Sequence, residues 1–506
     1  MVEIRGLCGA LRKAPLPRHL HARGTSPSWL CWGTDKDAEW ETHGVALGEE
    51  KHRGTGARVE VISIRTASLG DATYIAVHGD NAIVVDPQRD VGRFTDILDD
   101  RGLTLTHVLE THMHNDYISG GRDLAKARDA DLVLPAASGA AFPFVPAFHN
   151  EEFDAESGLV VRALHTPGHT PEHTSYLVLI DGEEQAVFTG GSLLVGSAGR
   201  PDLLGFQYAR QLARLQYGSL QRLGRLPDET GVFPTHGEGS FCTASGAGRT
   251  TSTIGREKEE SPLYQIDRID AFVENQLSAL VPYPRYYAHM GPTNKQDPTA
   301  VEITSVPELS PFAASDAISA GAAVIDGRSR VSFSEGRLIG SIGIELGDSF
   351  APWVGWLVDY NTPLVLVLDD KQDAVFAATE LSRIGFTKVR GVLRGIGNWE
   401  AEELPVATHR IAPHTELFGK LDTAQILDVR DPLEWEAGHI AGSIHCYLPD
   451  INKDTLRQID TTRDVWVICE SGSRASIAAG LLARFGIDPI VIASGGVADV
   501  LRTSAG

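Results

Sequence analysis

Val465-Trp-Val-Ile-Cys469-Glu-Ser-Gly-Ser-Arg-Ala475 reads as an apolar strand, a glycine-containing loop and the first turn of a helix, which Ile477-Ala-Ala-Gly-Leu-Leu-Ala-Arg484 continues. A strand passing through a tight loop into a helix is the building unit of an α/β domain. A counterpart lies upstream. Val324-Ile-Asp-Gly-Arg328 matches Ile426-Leu-Asp-Val-Arg430 at an offset of 102, which also pairs Phe333 with Trp435, Gly336 with Gly438 and Gly340-Ser-Ile with Gly442-Ser-Ile. Val365-Leu-Val-Leu-Asp369 pairs with Val465-Trp-Val-Ile-Cys469 at 100, and Leu381-Ser-Arg-Ile-Gly385 with Leu482-Ala-Arg-Phe-Gly486 at 101. Drift of one or two residues is what loop insertions produce, so the C-terminal part is two copies of one α/β domain.

A different, larger domain precedes the duplication. Strand-like runs at Val59-Glu-Val-Ile-Ser-Ile, Tyr74-Ile-Ala-Val, Ala82-Ile-Val-Val-Asp86 and His107-Val-Leu-Glu110 alternate with helical spacing, and the mixed pattern runs to about Gly255. The Pro- and Tyr-rich stretch Val281-Pro-Tyr-Pro-Arg-Tyr-Tyr287 marks one boundary and Leu404-Pro-Val-Ala-Thr408 another. The expected division is an N-terminal extension over 1–58, a first domain over 59–260, a connector over 261–305, and the two copies over 306–405 and 406–506. At roughly 100–200 residues per domain, a 506-residue chain fits this count.

Composition excludes several classes of function. With 42% hydrophobic and 22% charged residues, each domain can bury a core, so a disordered or low-complexity chain is ruled out. A net charge of −22 repels nucleic acid and anionic membranes, and no Lys/Arg-rich stripe offsets it locally. No apolar run reaches the length of a membrane span. The five cysteines (Cys8, Cys31, Cys242, Cys446, Cys469) are widely spaced without a CxxC pair, which argues against a disulfide framework or a zinc knuckle and fits a reducing cytoplasm. Residues 1–58 lack the apolar segment of a signal peptide and read as a poorly ordered extension.

The Cys469 loop carries chemistry. Successive backbone N–H groups at the start of a helix favour an anion, so a cysteine placed there is suited to act as a nucleophilic thiolate. Arg474 adds positive charge, Gly472 lets the backbone close tightly, and Ser473 lies in the same loop. The stretch resembles the rhodanese (sulfurtransferase) signature Cys-x-x-Gly-x-Arg-Ser/Ala. Asp428-Val-Arg-Asp-Pro-Leu-Glu-Trp435 and Gly438-His-Ile-Ala-Gly-Ser-Ile444 resemble that family's other motif. The resemblance implies a persulfide carried on Cys469, with Arg474 catalytic and Gly472 and Ser473 binding substrate. In the first copy Asp369 stands in place of the cysteine, which makes it an inactive rhodanese copy with a packing or docking role.

The first domain carries three histidine clusters: Thr111-His-Met-His-Asn-Asp-Tyr117, His165-Thr-Pro-Gly-His169-Thr-Pro-Glu-His173 and Phe233-Pro-Thr-His236-Gly237. Histidines at i and i+2 after a strand, with further loop histidines, can converge on one metal at a sheet edge. The set resembles the metallo-β-lactamase fold, in its glyoxalase-II-like and persulfide dioxygenase branch. The implied architecture is an αββα sandwich followed by two α/β rhodanese domains. By the same resemblance Arg200, in Gly199-Arg-Pro-Asp202, lies near a thiol substrate.

Two departures shape the expected site. Tyr117 replaces the second-site histidine, which argues against a two-metal hydrolase. Gly191, in Phe188-Thr-Gly-Gly191, replaces the family's metal-binding aspartate. His112 and His169 match the family's ligands; His114 or His236 completes a three-histidine site, or Asp116 swings in, or the domain holds metal weakly or not at all. One ion per chain is expected, Fe(2+) or Zn(2+). Gly191→Asp is expected to restore a carboxylate ligand, on condition that the loop accepts a side chain there.

The resulting expectation is sulfane-sulfur metabolism. A low-molecular-weight persulfide is oxidised in the first domain, and sulfur is shuttled on Cys469 with thiosulfate or sulfite. The alternatives are a sulfur-relay protein on a non-catalytic scaffold and a single-metal thioester hydrolase. Small thiols or persulfides are the expected partners, with no nucleic acid or membrane and with scope for a homo-oligomer.

Overall fold

The first sheet places the segment that carries His112. The computed structural model describes residues 49–52, 59–237, 239–242, 249–296 and 301–504. Seven strands form this sheet in chain order: β1 (Glu49–His52), β2 (Glu60–Thr66), β3 (Asp71–His78), β4 (Asn81–Val85), β5 (Thr104–Leu109), β6 (Asp131–Pro135) and β7 (Val145–Ala147). β1 to β4 are an antiparallel meander, and β4 to β7 run parallel. A six-stranded second sheet has the order β13-β12-β11-β10-β9-β8, from β8 (Glu152–Asp154), β9 (Leu159–His165), β10 (Thr174–Ile180), β11 (Glu183–Gly190), β12 (Gly231–Pro234) and β13 (Ser252–Thr253).

Both sheets are covered on both faces, which is why their central strands are continuous apolar runs. In β4, Ile83 and Val85 point into the space between the sheets, where they meet Tyr176, Val178 and Phe188. Ala82 and Val84 point outward, under Phe94 and Leu98 of the helix Gly92–Asp100 and Leu124 of the helix Gly121–Arg128. Leu177 and Leu179 of β10 face Leu220 and Leu223 of the helix Phe206–Leu223 and Phe272 of the helix Ile269–Ser278. The layers are therefore helix, sheet, sheet, helix.

The rest of the described chain contains two parallel sheets of matching layout. The first has the order β16-β14-β17-β18, from β14 (Ala323–Asp326), β16 (Ile342–Gly343), β17 (Leu364–Leu368) and β18 (Val389–Arg394); β15 (Arg337–Leu338) pairs separately with β19 (Val406–Ala407). The second has the order β20-β24-β23-β21-β22, from β20 (Arg410–Pro413), β21 (Gln425–Asp428), β22 (Ile444–His445), β23 (Val465–Ile468) and β24 (Pro489–Ser494). One ion pair is repeated in both. Arg328 pairs with Asp326 and donates to the Gly336 carbonyl, as Arg430 pairs with Asp428 and donates to the Gly438 carbonyl. The expectation for residues 1–58 lies outside the described residues apart from Glu49–His52.

One apolar cluster passes through all of these parts. It joins Tyr117 and Cys242 of the first domain, Tyr286 and Met290 of the connector, Phe350 of the first copy, and Leu448 and Ile477 of the second. Polar contacts reinforce it. Arg383 holds Asp90 at 2.6 and 3.0 Å, and the backbone N–H of Ile118 donates to the Arg383 carbonyl at 2.7 Å. No helix among the described residues is long and apolar enough to cross a membrane.

Candidate metal centre and sulfur-carrying loop

His112 follows β5, His169 sits in the loop from β9 to β10, and His236 follows β12, so three connections deliver them to one end of the sandwich. All three are fully buried. Their ligating atoms lie within 4.8 Å of one another. Each ring is fixed through Nδ1, which leaves Nε2 directed to the common centre. His169 Nδ1 donates to the Arg200 carbonyl at 2.8 Å, His112 Nδ1 meets Thr111 Oγ1 at 2.9 Å, and His236 Nδ1 lies 2.9 Å from Asp71 and 3.1 Å from Asp116. Outer partners of this kind set the tautomer and orientation of metal-ligating histidines.

The rings differ in charge. His169 Nε2 is buried without a hydrogen-bond partner. Burial and the neighbouring His236 push the His169 imidazole down to about 3, so it is neutral. Burial and the surrounding histidines likewise hold His112 well below the usual range. At His236 burial opposes the cation, but the carboxylates of Asp116 and Asp71 outweigh it and hold the ring at about 10. So held, His236 can donate from Nε2 to His112 Nε2, 3.3 Å away. A divalent cation of borderline softness bound here would take the Nε2 lone pairs of His112 and His169 and displace the proton held between His112 and His236.

Two further donor groups overlap this one: Asp86 with His112 and His114, and His114 with Asp116 and His236. His114 is held through its other nitrogen, which leaves Nδ1 buried, without a hydrogen-bond partner and 3.9 Å from Asp116 on the side of His236. Its Nε2 lies 3.1 Å from Glu110, 3.2 Å from Asp86 and 3.0 Å from the Tyr117 hydroxyl, against whose ring it stacks. Burial opposes its charge, yet Asp86 and Glu110 raise the imidazole well above its ordinary value. Asp116 faces His236, and Cys242 Sγ lies 3.5 Å from its carboxylate.

Asp86, at the end of β4, was not singled out from sequence. Its carboxylate accepts from Thr111 N and Oγ1 at 2.7 Å each and from the Thr235 hydroxyl, besides pairing with His114. It adopts φ +53°, a conformation rare for residues other than glycine, asparagine and aspartate. The only sequence signal was an acidic residue closing the apolar run Ala82-Ile-Val-Val85. Asn294 was missed as well. Its side chain donates to the His114 and Tyr117 carbonyls and accepts from Ser119 N, so the connector grips the histidine loop.

Gly191 does not offer the latent ligand position expected of it. Its φ is ordinary, but a Cβ there would fall against His169 Cδ2 and within 2.7 Å of Cγ. The ring cannot withdraw without losing its bond to the Arg200 carbonyl. Gly191 N also donates to His173 Nε2 at 3.0 Å, which gives His173 the work of holding this turn. Gly191→Asp therefore displaces a histidine rather than adding a carboxylate. Elemental analysis under matched loading is expected to show metal affinity lowered by about tenfold or more, since even lost outer partners cost that much. Arg200 is buried too. Its guanidinium grips Asp202 with two 2.7 Å bonds, donates to the Phe241 carbonyl and stacks over Tyr283.

In the second copy, β23 ends at Cys469, which is fully buried, and the Gly472 N–H donates to its Sγ at 3.1 Å. Gly472 has φ +88°, and a Cβ would lie 2.6 Å from the Ala493 carbonyl carbon, so the loop requires glycine. Ser473 opens the helix Ser473–Ala483. Arg474 is buried and paired with Glu434, which Arg474 and Asp431 hold down at about 2 although burial opposes this. Asp369 of the first copy is exposed at the matching strand end.

The comparisons follow this division. The Metallo-beta-lactamase superfamily matches residues 65–236, and the Rhodanese-like domain matches 311–402 and 414–503. The chain is thus a metallo-beta-lactamase-fold protein that carries two rhodanese-like domains behind that fold. A metallo-beta-lactamase of Staphylococcus aureus is similar over 67% of this chain and 99% of its own, at 27% identity and a TM-score of 0.61. ETHE1 from Myxococcus xanthus is 32% identical, over 46% of this chain and 96% of its own, with a TM-score of 0.40. Among curated relatives, an atrochrysone carboxyl ACP thioesterase of Aspergillus terreus is 31% identical over 178 residues, 33% of this chain and 49% of that one. A hydroxyacylglutathione hydrolase of Methylobacillus flagellatus is 33% identical over 163 residues, 31% of this chain and 58% of that one. The match thus spans about half the length of these curated relatives.

Proposed function

We propose that this protein oxidises a low-molecular-weight persulfide in its first domain and moves sulfane sulfur on Cys469 in its last. The observation that carries the reading is the Cys469 cradle, a buried thiol with a backbone N–H aimed at its sulfur. Cys469 thiolate attacks the outer sulfur of thiosulfate; the S–S bond to the sulfonate breaks, sulfite leaves with the electron pair, and a Cys469 persulfide anion remains. Cyanide then takes the outer sulfur as thiocyanate and restores the thiolate. With sulfite as acceptor the first step runs in reverse and yields thiosulfate.

His112, His169 and His236 would hold the metal in the first domain, and the orphaned His169 Nε2 supports the fit. An iron ion bound there supplies redox chemistry with O2, in the net conversion of RSSH, O2 and H2O to RSH, sulfite and two protons. The chain's own contribution is positional. Arg200, Thr111, Asp71 and Asp116 hold the three rings, Asp86 anchors the loop before His112, and Tyr117 occupies the place of a second-site histidine. The thioesterase and hydrolase relatives favour single-metal thioester cleavage as a second reading.

Purified protein is expected to carry about one iron per chain, as single-site geometry requires. Adding glutathione persulfide or coenzyme A persulfide should start O2 uptake with stoichiometric sulfite. Two ions per chain, or thioester cleavage without O2 uptake, would replace this reading with the hydrolytic one. Absence of metal after anaerobic iron loading would leave the sulfur-relay reading.

A further inference from the structure

Arg330 belongs to the cysteine-less copy but reaches into the loop of the other. Its Nη1 donates to the Ser471 carbonyl at 2.9 Å and to the Ala493 carbonyl at 3.2 Å. Ser471 lies in the Cys469 loop, and Ala493 lies in β24, against which that loop closes. Glu345 steadies the guanidinium, accepting from Arg330 Nε at 2.8 Å and from its backbone N–H at 2.9 Å.

The Ser471 carbonyl and the Gly472 N–H belong to one peptide unit. In a trans peptide these two groups point in opposite directions. Arg330 holds one end, and the other end donates to Cys469 Sγ at 3.1 Å. Rotating this unit would remove the donor and turn a carbonyl oxygen toward the sulfur. Glycine on its C-terminal side makes such a rotation less restricted than at any other residue type. The contact from Arg330 opposes that rotation.

The duplication shows that this contact is not part of the common scaffold. At the offset of 102, Arg330 corresponds to Pro432 and Glu345 to Tyr447, so the second copy has neither. The two copies also meet closely enough to fix the reach of Arg330. A Cβ on Gly480, in the helix after the cysteine loop, would lie 2.5 Å from the Ser341 carbonyl, and Arg484 donates to the Gly340 carbonyl at 2.8 Å.

We infer that Arg330, steadied by Glu345, is a positioning residue for sulfur transfer: the cysteine-less copy orients the Ser471–Gly472 peptide that donates to Cys469. This rests on the reading of Cys469 as the sulfur carrier.

The test uses the full chain as wild type, R330M, R330K, E345Q and C469S. It measures thiosulfate:cyanide turnover, melting temperature, and the iodoacetamide alkylation rate of Cys469 by peptide mass spectrometry. R330M should lower kcat about tenfold, the scale of a lost hydrogen bond to a charged group, with KM for thiosulfate unchanged and slower Cys469 alkylation. R330K should recover part of both, and E345Q should fall between. Wild-type kcat and alkylation in R330M, with C469S inactive, would overturn the inference alone. So would an equal loss in R330M and R330K that follows a lowered melting temperature. Turnover persisting in C469S would instead overturn the sulfur-carrier reading.

Discussion

Cys469→Ser is expected to reduce thiosulfate:cyanide sulfur transfer below detection without loss of fold. The hydroxyl occupies nearly the same space as the thiol, so the buried end of β23 stays packed. What disappears is the atom that carries the sulfur, and a serine hydroxyl neither ionises near neutral pH nor forms a stable sulfenyl adduct. No other described cysteine takes its place. Cys242 and Cys446 are both buried, and burial raises the thiol of each above its ordinary value. Asp369→Ala in the other copy should leave turnover at the wild-type level. Steady-state kinetics on both variants, with melting curves as the control for folding, measures this contrast.

His112→Ala is expected to empty the histidine centre. Its Nε2 faces His236 at 3.3 Å and its ring packs edge-on to His169 at 4.9 Å, so it adjoins both of the others. Two imidazoles remain, and metal affinity should fall at least about a hundredfold, beyond the 10–100-fold that loss of an outer partner costs. Titration with iron and zinc, followed by elemental analysis after gel filtration, gives the measurement. Persulfide-dependent O2 uptake should vanish in the same variant while thiosulfate:cyanide transfer by Cys469 continues. Loss of both activities together would mean that the substitution had damaged the fold.

Much of the architecture was legible in the sequence, because the patterns that specify it are local or repeated. The run from Val465 to Ala475 is a strand, a loop and a helix in one reading frame, and the duplication supplied an internal check at every matched glycine. The histidine motifs were equally visible, since each sits directly after a strand. What the sequence did not disclose was orientation. Nothing in Thr111-His-Met-His114 says that His112 presents Nε2 to the centre while His114, tied through Nε2 to Asp86 and Glu110, presents Nδ1, because both follow the same strand two residues apart. Nor does a glycine at 191 reveal that the His169 ring fills the space beside it. Asp71, Asp86 and Asn294 were hidden for a related reason. They act through partners 25 to 180 residues away in the chain, where no spacing rule applies.

The apolar cluster that runs from Tyr117 through Met290 and Phe350 to Ile477 has a thermodynamic consequence. Surface buried between neighbouring parts cannot be kept from water if one of them opens alone, so local unfolding of any part exposes core belonging to the next. Cooperativity then extends across borders that the sequence motifs draw sharply. An ion bound by His112, His169 and His236, as proposed, would stabilise the native state by mass action. Part of that free energy would then be felt at Cys469, in a different domain.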